Sequence, residues 1–282
     1  MIFAASNIAW PPAQRLEAYG ALHAGGCVGL EIAPGLFFWD TQTPFRPERQ
    51  VIQTALAEVD DAGLKLVSMQ SLLFGVEGAA LFGPQEAHER FEAGMAAAID
   101  LAAEVGIPNL VVGSPKQRII PDTMPQKDAE ARAQEVFHRL GDRAAAAGTI
   151  LAMETNPEVY GTNFLTHTPQ TLAFVRQLAH PAVQVNLDVG AMMINGEFDT
   201  SRDAIRATAP QLSHVHISAP ALDPAPDDIV NTSEILQLLR GIRYERSVSI
   251  EMRTPPTDPI SNLENCISKL NKAIKMTSHD DV

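Results

Sequence analysis

The segment Val183-Gln184-Val185-Asn186-Leu187-Asp188 alternates strictly, with branched apolar residues at odd positions and polar ones at even positions. Successive strand side chains point to opposite faces, so Val183, Val185 and Leu187 form one face and Asn186 and Asp188 the other. Three more segments divide by the same rule. Ile150–Glu154 sets Leu151 and Met153 against Ala152 and Glu154, and Ser213–Ser218 sets Val215 and Ile217 against His214 and His216. Ser247–Glu251 sets Val248 and Ile250 against Ser249 and Glu251. Each therefore has an apolar face suited to packing on helices and an opposite face that ends in an ionisable group.

Upstream lie four further strand-like runs, Ile2–Ser6, Cys27–Ile32, Lys65–Gln70 and Asn109–Gly113. Helical stripes separate the runs. Val51, Ile52, Ala55, Leu56 and Val59 form one, and Phe91, Met95, Ala98 and Val105 another. Leu172, Val175 and Leu178 follow Thr168 as N-cap and Pro169 at the first helical position. Leu263, Ile267, Leu270 and Ile274 mark the last helix, and Gly63, Gly106 and Gly148 stand where left-handed helix ends are expected. Eight alternating strand–helix units in 282 residues predict an α/β fold, a closed (β/α)8 TIM barrel in one domain spanning residues 1–282. No Gly-rich dinucleotide fingerprint follows the first strand, which argues against an open doubly wound sheet. The Pro/Asp-rich stretch Ala219–Asp228 reads as a loop over one rim.

In such barrels the active site sits at the C-terminal ends of the strands. Glu154, Asp188, His216 and Glu251 are predicted to converge there. Each acid taken alone could equally be a solvated or ion-paired rim residue. Together they place three carboxylates in one place, a conflict that a divalent cation removes. An oxygen-rich set with one imidazole suits Mn²⁺ first, with Mg²⁺, Co²⁺ or Zn²⁺ as alternatives. His214, one layer below His216, reads as an orienting partner of that site or as a substrate contact. Glu31, Gln70, Asn7 and Trp10 follow the earlier strands as candidate substrate contacts, and Asn156 and Arg253 join them just beyond Glu154 and Glu251. Lys116 and Arg118, just past the fourth strand, are cations that could meet a substrate phosphate or carboxylate. His23, His88, His138 and His180 read as surface residues, His167 as a loop residue, and His279 as part of the tail.

The composition narrows the partners. A net charge of −13 without any Lys/Arg run points away from nucleic acid. Cys27 and Cys266 have no zinc or disulfide-framework spacing. Neither a signal peptide nor a run of about 20 apolar residues is present, so a cytoplasmic protein without a membrane partner is expected. A small sugar-like substrate is the expected partner, and homo-oligomerisation stays open.

Met153-Glu154-Thr155-Asn156, Asn186-Leu187-Asp188-Val189-Gly190, His214-Val215-His216-Ile217-Ser218 and Ser249-Ile250-Glu251-Met252 resemble the last four strand ends of the xylose isomerase-like barrel superfamily. Gly29–Pro34, Met69–Leu73 and Gly113–Lys116 are similar to a branch labelled sugar phosphate isomerase/epimerase. The resemblance implies that Glu154, Asp188, His216 and Glu251 bind one metal and that Glu154 and Glu251 form an acid/base pair. It implies enolisation of a hydroxy-carbonyl sugar through an enediolate, ending in isomerisation or epimerisation. Dehydration of a keto-polyol or related acid is the alternative. An endonuclease IV-like phosphodiesterase needs more inward histidines than this chain has, and a ligand-binding barrel without turnover is the remaining class. The pattern departs from the 3-epimerases at Ala191, where they carry a substrate-binding histidine, and this points away from a ketohexose 3-epimerase.

Overall fold

The computed structural model describes residues 1–277, so His279 lies outside the described residues. Eight strands, β1 (Ile2–Ser6), β2 (Gly29–Ile32), β3 (Lys65–Met69), β4 (Asn109–Val112), β5 (Ile150–Glu154), β6 (Val183–Asp188), β7 (Leu212–Ser218) and β8 (Ser247–Glu251), pair in parallel. Ile2 to Ala5 of β1 register with Ser247 to Ile250 of β8 and close the ring. The helices are α1 (Arg15–Ala24), α2 (Pro34–Phe37), α3 (Arg49–Asp61), α4 (Gln85–Val105) and α5 (Gln126–Ala146). They continue as α6 (Thr168–Leu178), α7 (Val189–Ile194), α8 (Ser201–Thr208), α9 (Ile229–Gly241) and α10 (Pro259–Met276). The chain is a (β/α)8 TIM barrel, as its strand–helix alternation predicts.

Local chemistry shifts several element ends. β2 starts at Gly29 and not at Cys27, because the Cys27 N–H turns back to the Leu22 carbonyl and finishes α1. β3 stops at Met69 and β4 at Val112, where Ser71 and Ser114 take positive φ and turn the chain over the rim. The N-cap of α6 is His167, and Thr168 is already helical. The Gln170 side-chain oxygen accepts the backbone N–H groups of Thr166 and His167 and so holds that end.

The outward strand residues Leu151, Met153, Val185, Leu187, Val215, Ile217, Val248 and Ile250 are at most 2% exposed. They pack beneath the helix layer, as their alternation requires. Between α4, α5 and α6 the rings of Phe91, Phe137 and Phe174 meet edge to face at 6.3 and 5.9 Å. Phe164 and Phe82 extend this row toward the C-terminal rim. Two register shifts, at Leu30/Glu31 and Val185/Asn186, lie where β2 and β6 carry inward polar groups. His180 departs from its expected surface position. Its side chain is 7% exposed, wedged beside Gly141 of α5, with Nε2 3.2 Å from Asp142.

Candidate metal centre

Glu154, Asp188, His216 and Glu251 come together at the C-terminal ends of β5 to β8, and one ligand atom from each lies within 4.8 Å of the others. His216 is central and fully buried. Its Nδ1 is 3.1 Å from Glu154 Oε1, 3.2 Å from Glu251 Oε2 and 3.6 Å from Asp188 Oδ2. Its other nitrogen, Nε2, lies 3.1 Å from the Glu31 carboxylate, on the side away from the other three acids.

Each carboxylate is held by neighbours. Glu154 accepts from Asn186 Nδ2 at 2.7 Å and from Asn156 Nδ2 at 2.9 Å. Arg118 Nη2 donates to Asn156 Oδ1 at 2.6 Å and to the Glu154 carbonyl at 3.1 Å, which fixes the way the Asn156 amide faces. Asp188 is the N-cap of α7 and accepts from the Ala191 N–H, and Ser218 Oγ donates to its other oxygen at 2.7 Å. Glu251 accepts from Gln70 Nε2 at 3.0 Å. Gly113 lies so close to Glu154 that a Cβ there would sit 2.6 Å from Oε2.

Burial and crowding perturb these groups. Burial raises the Glu251 carboxyl to about 7; the His216 charge opposes this, and Glu154 and Asp188 add to it. Burial lowers the His216 imidazolium, but the charges of Glu251 and Glu31, with hydrogen bonds to Asp188 and Glu154, hold it well above the usual range. Burial would raise Glu31, yet His216 and His214 keep it well below the usual carboxylate range. Burial brings the Arg118 guanidinium down to about 10.

The donor set fits a divalent cation. Separations of 3.1 to 3.6 Å between Nδ1 and three carboxylate oxygens suit ligand atoms around one ion at roughly 2.1 Å. Four carboxylates, Glu31 included, face the single imidazole of His216, a crowding of like charge that a divalent cation would relieve. The strand-end set would hold the ion and Glu31 would orient its histidine, an arrangement found around many metal-bound imidazoles.

Above this centre opens a cavity of about 460 Å³, lined at its base by Glu154, Asp188 and Glu251. Gln70 and Asn156 line it, whereas the other seven expected substrate contacts do not. Asn7 is buried and pins Ala33 through its N–H and carbonyl. Trp10 packs edge-on against Tyr19 in the core. Glu31 and His214 are 0% exposed beneath His216, where His214 Nδ1 meets Ser247 Oγ. Lys116 is exposed outside the cavity, and Arg118 is fully buried behind Glu154. Arg253 is exposed and paired with Asp223. The 219–228 stretch does cover the rim, with Ala219, Ala221 and Leu222 lining the cavity.

Sequence reasoning missed Tyr160, Gly113, Ser218 and the supporting role of Asn186. Tyr160 lines the cavity, and its hydroxyl accepts the Ala221 N–H across from the β7 loop. Strand parity marks Asn186 as inward, and Gly113 ends a strand-like run. Nothing local marked Tyr160.

A closed parallel barrel with four groups that could hold a metal ion gathered at its C-terminal rim places the chain among the (β/α)8 TIM barrels. The chain belongs to the xylose isomerase-like TIM barrel family, whose sequence profile matches residues 21–272. Among curated proteins, none matches it in sequence. In structure it is similar to 3-keto-D-glucoside 4-epimerase from E. coli, at 19% identity over 96% of this chain and 99% of that one, with a TM-score of 0.78. It is similar to D-psicose 3-epimerase from Clostridium cellulolyticum H10, at 18% identity over 99% of both chains and a TM-score of 0.74. It is also similar to an AP endonuclease, family 2, from Brucella melitensis, at 21% identity over 93% of this chain and 97% of that one, with a TM-score of 0.71. Likeness at these identities shows the shared fold. Among the described residues no helix is long and apolar enough to cross a membrane.

Proposed function

We propose that this chain, acting as one domain over residues 1–282, is a divalent-metal-dependent isomerase or epimerase of a sugar-like hydroxy-carbonyl substrate. The carrying observation is the convergence of Glu154, Asp188, His216 and Glu251 under an open cavity, with His216 Nδ1 within 3.6 Å of all three carboxylates. Two of the structural neighbours are named as keto-sugar epimerases, which supports the same reading. Manganese is the ion this oxygen-rich set suits best.

When held by these four residues, the metal supplies Lewis-acid polarisation of the substrate carbonyl. Glu154, oriented by Asn156 and Asn186, takes the proton from the adjacent carbon. Glu251, from a strand across the site, returns one. Return to the other face of that carbon gives an epimer, and return to the neighbouring carbon gives an isomer. Loss of a β-hydroxyl from the same enediolate would make the enzyme a dehydratase. Gln70 and Asn156 orient hydroxyls at the cavity base.

A screen of ketoses and keto-acids with manganese in deuterated water tests this reading, with proton exchange and net product followed by NMR. Exchange should occur, and Glu251→Gln should reduce it by about 10²–10⁴-fold with the fold retained. Unchanged exchange in that variant would remove Glu251 from the chemistry.

A further inference from the structure

We infer that the substrate is an uncharged keto-sugar that carries an apolar substituent, with the sugar on the polar base of the cavity and the substituent between the β3 and β7 loops. This rests on the metal-dependent enolisation proposed above and narrows its substrate.

The charge pattern comes first. The cavity is lined by three carboxylates and, among the described residues, by no lysine or arginine. None of the cations that the sequence brings near the rim lines the cavity. Arg118 is fully buried and donates to Asn156 and the Glu154 carbonyl, Lys116 lies outside the cavity, and Arg253 pairs with Asp223. Three carboxylates outweigh one divalent cation, so a phosphate or carboxylate on the substrate would meet net negative charge with no lysine or arginine in the lining to offset it. A neutral substrate avoids that repulsion.

The second observation is where the apolar lining lies. Leu73 and Phe74 come from the loop after β3, and Ala221 and Leu222 from the loop after β7. These strands are four apart in an eight-strand ring, so the two loops face each other across the mouth. Phe74 is 70% exposed and its ring lies beside Gly35, where an added Cβ would come within 3.2 Å of it. Val111 and Pro115 continue the strip on the β4 side. Hydroxyls on every carbon of a free sugar would leave some of them against this strip without hydrogen-bond partners. An alkyl or aryl substituent would instead cover the exposed ring and gain apolar burial. The hydroxyl-binding groups Gln70, Asn156, Gln117 and Tyr160 leave the polar edge of the sugar well served.

A matched set on one sugar ring tests this with the manganese-loaded full chain: the 3-keto derivatives of methyl β-D-glucoside, phenyl β-D-glucoside and methyl β-D-glucoside 6-phosphate. In deuterated water, kcat/KM for exchange should be about tenfold or more higher for the phenyl than for the methyl compound, and about tenfold or more lower for the phosphate. Phe74→Ala should cut the phenyl-to-methyl ratio by at least about fivefold. Equal rates for phenyl and methyl, or a preference for the phosphate, would overturn the inference while leaving the proposed enolisation standing. If neither these compounds nor free ketoses exchange, the enolisation reading fails. The inference is then decided by calorimetry with the unreactive methyl and phenyl β-D-glucosides. About tenfold tighter binding of the phenyl compound supports it, and equal binding overturns it.

Discussion

Manganese binding to this protein should release protons, and its affinity should rise steeply with pH. In the ion-free chain His216 holds its imidazolium well above the usual range, so the Nδ1 that faces Glu154 and Glu251 carries a proton an ion must displace. Burial raises the Glu251 carboxyl to about 7, so this ligand too is protonated in mildly acidic solution. Both ligands bind metal only when deprotonated, so affinity must increase with pH. Below about pH 7 loading releases about two protons and log K climbs by roughly two per pH unit; above it, one proton remains and the slope falls to about one. Between pH 6 and 8 this amounts to about 10³-fold in affinity, or about 4 kcal/mol. Isothermal titration at pH 6, 7 and 8, in buffer pairs of different ionisation enthalpy, counts the protons directly. In Glu251→Gln the steeper limb should vanish and leave a slope near one. An affinity that changes less than about tenfold over this range, or an unaltered slope in the variant, would refute the electrostatic reasoning.

Gly113→Ala places a methyl 2.6 Å from Glu154 Oε2 and should weaken manganese binding by about tenfold with an unchanged far-ultraviolet circular dichroism spectrum. Wild-type affinity would show that Glu154 needs no such clearance. Arg118→Met leaves Asn156 Oδ1 without its donor in a buried site and should cost about 1–3 kcal/mol in urea unfolding. Phe137→Ala removes a fully buried ring that touches Phe91 and Phe174 and should cost about 3–5 kcal/mol by the same measurement, without altering the centre's affinity for manganese.

The alternation in β5 to β8 determined both the barrel and the inward set of Glu154, Asp188, His216 and Glu251, because strand parity is a local property that the backbone imposes. The same rule placed Asn186 and His214 on the inner face, and the left-handed glycines at the ends of α3, α4 and α5 followed from backbone sterics alone. Tertiary structure decided what each inward or rim residue touches. Glu31 and His214 share the inner face with the strand-end acids, but they sit one layer deeper and meet His216, not the cavity. Depth along the barrel depends on how neighbouring strands stagger, which parity does not encode. Arg118 and Lys116 are two residues apart on one short turn, yet one is sealed behind Glu154 and the other faces water. Tyr160 and Phe74 reach the mouth only because loops distant in sequence end side by side around the closed ring. The chemistry of the strand ends is written locally, whereas the shape and charge of the cavity above them arise from contacts that exist only once the ring has closed.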